Sequence, residues 1–143
     1  MSLIKGYHHV SLSVSDLGKS TEWYREVLEF EVVAEIEGEG FRRARLRAPE
    51  SGVTLTLTSH EGNSGEAFDE RRPGLDHVAF QMASPEDINA LKGRFEQLGI
   101  NHSEIKQSSS GTAMITVRDP DNIQLEVFGG SFDPSIGAGR PGG

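Results

Sequence analysis

Strict alternation of apolar and polar residues marks the first readable element of the chain, where Val10, Leu12 and Val14 interleave with His9, Ser11 and Ser13. That period of two predicts a strand with one wet face. Asp16 then stands in an N-cap position, and Leu17, Thr21, Tyr24 and Leu28 recur at three to four residues, so a helix is expected to about Glu29. Strands at 31–36 and 41–47 flank the turn signal Glu37-Gly38-Glu39-Gly40. After Ala48-Pro49-Glu50-Ser51-Gly52 comes another alternating run, Val53 to Thr58. The order is βαβββ. From His60 to Gly74 the chain is polar and glycine-bearing with neither period, which reads as a linker or surface loop.

After Gly74 the pattern starts again. Asp76 to Met82 alternates like the first strand, and Ser84-Pro85 supplies an N-cap followed by proline at the first helical position. Ile88, Leu91, Phe95 and Leu98 give a helix ended by Gly99. A weak strand at 102–107 and firmer ones at 112–117 and 123–128 follow, the last two joined by the turn Asp119-Pro120-Asp121-Asn122. The first strands of the two copies align at an offset of 77 − 9 = 68 and the last at about 70. The pattern therefore predicts an α+β fold of two βαβββ modules, at 7–59 and 75–128, within one domain spanning 1–130. Residues 60–74 are the expected linker, and 131–143 a flexible, glycine-rich C-terminal tail.

Composition narrows the chemistry. The 143 residues are 35% hydrophobic and 25% charged and contain no cysteine, so disulfides, thiolate metal sites and cysteine nucleophiles are excluded. The net charge of −8 disfavours phosphate backbones and anionic lipid, so neither nucleic acid nor a membrane surface is an expected partner. No stretch has the length of a signal peptide's apolar core or of a membrane span, which sets the expected compartment as the cytoplasm.

A strand's period of two sends the apolar sets to the helices, and the opposite faces then carry His9, Ser11, Ser13, Thr54, Thr56, Thr58, His77, Gln81, Gln124 and Glu126. His9 and His77 hold equivalent positions in the two copies, and Glu126 shares their parity. If the copies pack as a pseudo-twofold pair, two imidazoles and a carboxylate converge with open positions left over. That set suits Fe(II) and accepts Mn, Zn or Ni. Thr56, the repeat partner of Glu126, is a poor ligand for a divalent ion. Arg43, Arg45 and Arg47, together with Arg118 in the second copy, have the parity of the polar face and could hold a carboxylate or phosphate. The competing expectation is cross-strand pairing with Glu35 and Glu37. Arg45, Arg118, Thr56 and Gln81 are thus candidate substrate contacts. His60 and Arg45 are candidate catalytic groups, while His8 alternates to the other face.

The segments HHVSLSVSDLGKSTEWYREVLEF, GLDHVAFQM and RDPDNIQLEVF together resemble the vicinal oxygen chelate family. That family includes glyoxalase I, the type I extradiol dioxygenases, methylmalonyl-CoA epimerase and the fosfomycin- and bleomycin-resistance proteins. The resemblance covers about residues 7–129 apart from the linker. It implies that His9, His77 and Glu126 coordinate one divalent metal ion per site, and that a small oxygen-rich substrate chelates it. A homodimer is implied as well. Thr56 stands where glyoxalase I and the epimerase carry a fourth ligand. Ser108 to Thr116 lacks the His and Tyr of the extradiol enzymes, and Thr116 falls where fosfomycin-resistance proteins have a Tyr. The expectation is a metal-dependent lyase, isomerase, transferase or dioxygenase. Its alternative is a non-catalytic protein that sequesters an antibiotic or metabolite.

Overall fold

A computed structural model describes residues 1–133; the expectation of a flexible tail falls mostly on residues outside that range. The chain divides into two compact units, residues 1–67 and residues 68 onward. The first runs β1 (Ser11–Ser13), α1 (Leu17–Leu28), β2 (Glu31–Gly38), β3 (Phe41–Arg47) and β4 (Thr54–His60); the second runs β5 (Val78–Met82), α2 (Pro85–Gln97), β6 (Lys106–Gln107), β7 (Ala113–Arg118) and β8 (Gln124–Gly129). Each unit is one four-stranded mixed sheet, in the orders β1-β4-β3-β2 and β5-β8-β7-β6, so the α+β repeat of βαβββ modules is what the chain forms. Among the described residues no helix is long and apolar enough to cross a membrane.

In the first unit, Asp16 caps α1 by accepting from the Lys19 amide at 2.9 Å. The helix ends at Glu29, whose φ of 60° is left-handed. Its apolar stripe, Tyr24 and Val27, buries against Leu12, Val14, Ala44, Leu46, Leu55 and Leu57 from the inner face of the sheet. Each such side chain contributes on the order of 1.5–3 kcal/mol by leaving water.

The second unit repeats the scheme with a full capping box. The Ser84 hydroxyl accepts from the Asp87 amide, and the Asp87 carboxylate accepts from the Ser84 amide. Ile88 and Phe95 of α2 are buried, as are Ile115, Val117, Leu125 and Val127 on β7 and β8. Gly129 ends β8 where a Cβ would lie 2.3 Å from the Ser84 carbonyl oxygen, so only glycine allows β8 to pass the start of α2. The weak strand expected at 102–107 is broken. The Ser103 side chain accepts from the Thr116 amide, taking a ladder position that backbone would otherwise fill, and only Lys106–Gln107 pair as a strand.

Register makes the repeat exact in its consequences for the site. Ser11 of β1 pairs with Thr56 of β4, and Ala79 of β5 pairs with Glu126 of β8, both in parallel ladders. The offsets from 11 to 79 and from 56 to 126 are 68 and 70, so Thr56 holds in the first unit the place Glu126 holds in the second.

One expectation fails here. Glu35 and Glu37 do not pair with Arg43, Arg45 or Arg47, because the hairpin closes with Gly38 opposite Phe41 and that register runs unbroken back to Ala34. Ala34 and Ile36 therefore sit opposite Arg45 and Arg43, while Glu35 faces Ala44 and Glu37 faces Arg42. A bulge between Val32 and Ala34 then shifts only the start of the strand, setting Val32 opposite Leu46 and Glu31 opposite Arg47.

Candidate metal centre

The second unit brings His77 and Glu126 together. β8 begins just after the Asp119-Pro120-Asp121-Asn122 turn, where one Asp119 carboxylate oxygen accepts from the amides of both Asp121 and Ile123 at 2.9 Å. That grip sets the direction in which β8 leaves the turn, and hence the position of Glu126 beside the N-terminal end of β5. The result is a distance of 3.4 Å between His77 Nε2 and Glu126 Oε2.

Both donors are held from behind. Asp76 Oδ1 stands 2.6 Å from His77 Nδ1 and accepts from it, which holds the ring with Nε2 toward Glu126. Gln124 Nε2 donates to Glu126 Oε1 at 3.1 Å, leaving Oε2 toward His77. Gln124 Oε1 in turn accepts from Arg118 at 3.1 Å. Arg118 completes its contacts with both oxygens of Glu70, at 2.8 and 3.3 Å, and with the Asn122 carbonyl at 2.9 Å. These contacts hold the Glu70 carboxyl below the usual carboxylate range and raise Arg118 above the usual guanidinium value. Next to Glu70, the Arg71 guanidinium grips Asp69 at 2.7 and 2.9 Å and holds that carboxyl far below its ordinary value.

This pair meets the demands of a divalent ion. Two ligand atoms about 2.1 Å from an ion, at roughly 90–110° to one another, stand about 3.0–3.4 Å apart. An imidazole nitrogen and a carboxylate oxygen, at 3.4 Å, are also of the right chemical type. The Glu126 side chain is only 11% exposed while His77 is 38% exposed, so the charge that would bind the ion is shielded and the imidazole keeps one side open. Among the described residues, no three His, Asp or Glu side chains gather into a ligand set within either unit.

His9 belongs to the first unit, where it is exposed and its Nδ1 lies 2.7 Å from His8 Nδ1, one ring donating and the other accepting. On the same sheet face Arg43 donates to Thr58 Oγ1 at 2.9 Å, Thr58 and Ser11 hydroxyls meet at 3.0 Å, and the Arg43 guanidinium lies 4.6 Å from the centre of the Phe41 ring. Arg45 is exposed beside the buried Thr56, and among the described residues no carboxylate pairs with it. His60 is exposed at the end of β4, its ring 6.3 Å from that of Phe41. Gln81 is turned to the backbone, donating to the Met82 and Gly130 carbonyls.

The sequence pointed to His77 and Glu126 as candidate ligands but not to the contacts that hold them. Asp76 was findable as the carboxylate adjoining His77, and Gln124 as the position two before Glu126 on the same face. Glu70 was not, because it lies in a segment without period whose attachment to Arg118 spans 48 residues. Phe68 anchors that segment, its amide donating to the Asp121 carbonyl and its own carbonyl accepting from Asn122 Nδ2.

The model of the Glyoxalase/Bleomycin resistance protein/Dioxygenase superfamily matches residues 6–127. The metallothiol transferase FosB of Staphylococcus haemolyticus is 26% identical over 145 residues, covering 94% of this chain and 90% of its own. Among solved structures, a glyoxylase/bleomycin resistance protein/dioxygenase domain from Frankia sp. EAN1pec superposes with a TM-score of 0.82 at 34% identity, covering 90% of this chain and 99% of its own. The fosfomycin resistance protein FosX of Listeria monocytogenes, solved with Mn(II) and sulfate, gives a TM-score of 0.66 at 23% identity, with coverages of 91% and 96%.

Proposed function

We propose, from the premise that this chain belongs to the Glyoxalase/Bleomycin resistance protein/Dioxygenase superfamily, that it is a metal-dependent enzyme acting on a small, oxygen-rich, anionic molecule. The observation that carries the proposal is the preset pair of His77 Nε2 and Glu126 Oε2 at ligand spacing. His9, the repeat equivalent of His77, is the third ligand in this reading. The first unit that supplies it comes from the same chain or from the second copy in a homodimer. The bound ion, Mn, Fe, Zn or Ni, supplies Lewis acidity to a substrate oxygen. FosB is named a metallothiol transferase and the fosfomycin resistance protein FosX was solved with Mn(II), which supports a divalent ion and group transfer to a small molecule.

The remaining work is assigned to candidate residues of the first unit. Arg45, exposed and without a carboxylate partner among the described residues, is the group that receives the substrate's anionic end, with the Thr56 hydroxyl in the same row. Arg118 is occupied by Glu70 and Gln124, so the substrate's charge falls to Arg45 instead. Thr56 offers no carboxylate for proton abstraction, which favours addition or transfer over enolisation, with His60 as the candidate for moving a proton.

The test is elemental analysis of untagged protein, followed by turnover of phosphonate epoxides, with thiols and with water as co-reactants. Stoichiometric transition metal that His9→Ala and His77→Ala each lose supports the proposal. Metal-free protein that still binds the small molecule replaces it with sequestration. Sedimentation measures the dimer.

A further inference from the structure

We propose that Gln124, Arg118 and Glu70 form a positioning relay that aims the Glu126 carboxylate, so that metal affinity is governed in part from the 68–72 segment. The inference rests on the reading of His77 and Glu126 as ligands.

Gln124 is 2% exposed and lies between Arg118 and Glu126. A guanidinium can only donate, so Gln124 must turn its carbonyl oxygen to Arg118 and its NH2 to Glu126; the amide has one allowed orientation. That NH2 occupies Glu126 Oε1 and leaves Oε2 as the free donor beside His77 Nε2. The carboxylate is thereby prevented from rotating both oxygens away from the imidazole.

Glu70 has a second effect, through charge. Were Arg118 without its carboxylate, its guanidinium would compete for Glu126 and repel a divalent cation, since both interactions act over short distances with little water between. Glu70 engages both terminal nitrogens of Arg118, cancels the charge and fixes the fork at the distance from which it reaches Gln124 rather than Glu126. The neighbouring Asp69–Arg71 pair has the same chemistry in the same segment, at 2.7 Å, but makes no contact with Gln124 or Glu126. It therefore serves as an internal control.

A purely structural role for the Glu70–Arg118 pair would tie the 68–72 segment to the β7–β8 turn and would lower thermal stability without changing what the folded protein binds. The two cases separate by titrating full-length, metal-stripped protein with Mn(II), by calorimetry and by the electron paramagnetic resonance spectrum of the bound ion. Gln124→Leu is expected to weaken Mn(II) binding about 10- to 100-fold, the usual loss when a ligand's supporting partner is removed, and to change the bound ion's spectrum. Glu70→Gln, an isosteric change at the far end of the relay, is expected to weaken binding roughly threefold to tenfold. Asp69→Asn is expected to leave both affinity and spectrum as in the parent. Should Gln124→Leu fail to fold, Glu70→Gln still decides. If the parent binds Mn(II) and Glu70→Gln or a folded Gln124→Leu binds it equally with an unchanged spectrum, the relay is refuted while the metal reading stands. A parent that binds no Mn(II) overturns both.

Discussion

Replacing Glu126 with glutamine separates the charge of this side chain from its shape. In the metal-free protein the carboxylate accepts one hydrogen bond, from the Gln124 amide at 3.1 Å, and stands 3.4 Å from His77 Nε2. Glutamine can keep both contacts, presenting its carbonyl oxygen to Gln124 and its NH2 toward His77 Nε2. The exchange turns a charged hydrogen bond worth about 1.5–3 kcal/mol into a neutral one of about 0.5–1.5 kcal/mol. It also removes the desolvation cost of a mostly buried charge, which is of similar size. The two nearly cancel, so the metal-free melting temperature should move by no more than about 2–4 °C, the shift that about 1 kcal/mol produces in a chain of this size. Metal binding has no such compensation. Loss of a supporting partner alone costs about 10- to 100-fold, so loss of the anionic ligand itself should cost at least about 100-fold, or about 2.7 kcal/mol. Calorimetric titration with Mn(II) and Zn(II), and scanning calorimetry in the presence of chelator, measure the two quantities. Unchanged affinity would refute the assignment of Glu126 as a ligand. A large fall in metal-free melting temperature would refute the balance of terms.

Arg45→Leu should weaken binding of inorganic phosphate or a simple phosphonate at least severalfold while leaving Mn(II) affinity unchanged, as read by competitive titration; equal anion affinity would place the anion site elsewhere. Glu50 holds a φ of 65° on an exposed turn, so Glu50→Gly should raise stability by about 0.5–1 kcal/mol in urea unfolding, because the left-handed conformation costs an L-residue more than it costs glycine. The Glu70 carboxyl is held below its ordinary value of 4.5 by Arg118, so its pairing stabilises the fold fully above that value and is lost as pH falls through the depressed one. The melting-temperature gap between the parent and Glu70→Gln should accordingly be widest near neutrality and close below about pH 4.5; a gap independent of pH would show that the ionised pair contributes nothing.

Much of the architecture was legible because it is written in local periods. The alternation of Val10, Leu12 and Val14, the caps at Asp16 and Ser84 and the turn signals each fix an element without reference to the rest of the chain. The offset of the two copies then transferred one unit's register to the other, which is how Thr56 and Glu126 could be matched before any pairing was known. The failures share a cause. The pairing expected of Glu35 and Glu37 depends on which residues close the β2–β3 turn, and the observed closure of Gly38 on Phe41 puts them opposite Ala44 and Arg42 instead of the odd-numbered arginines. The role expected for Arg118 was incomplete for the same reason, since its partner Glu70 arrives from a distant loop. Parity says which face a side chain takes; it does not say what else reaches that face.

The twin parallel ladders have a consequence for how the chain folds. Each unit is closed by pairing its first strand with its last, Ser11 with Thr56 and Ala79 with Glu126, across about 45 residues in each case. Such contacts form late, because the entropy of closing a long loop must be met before the pairing stabilises anything. Until then β4 and β8 each present an unfilled edge, and β1 and β5 are two strands of the same polarity and similar alternation. Each could dock on the wrong edge, in its own chain or in a neighbour on the ribosome. Discrimination falls to side-chain volume, Leu12 on one side against Val78, Phe80 and Met82 on the other, and to the close approach of Ser84 to β8, which only a glycine at 129 admits. The duplication that supplies two copies of one scaffold thus also creates a kinetic hazard, and swapped oligomers formed at high protein concentration are its expected signature.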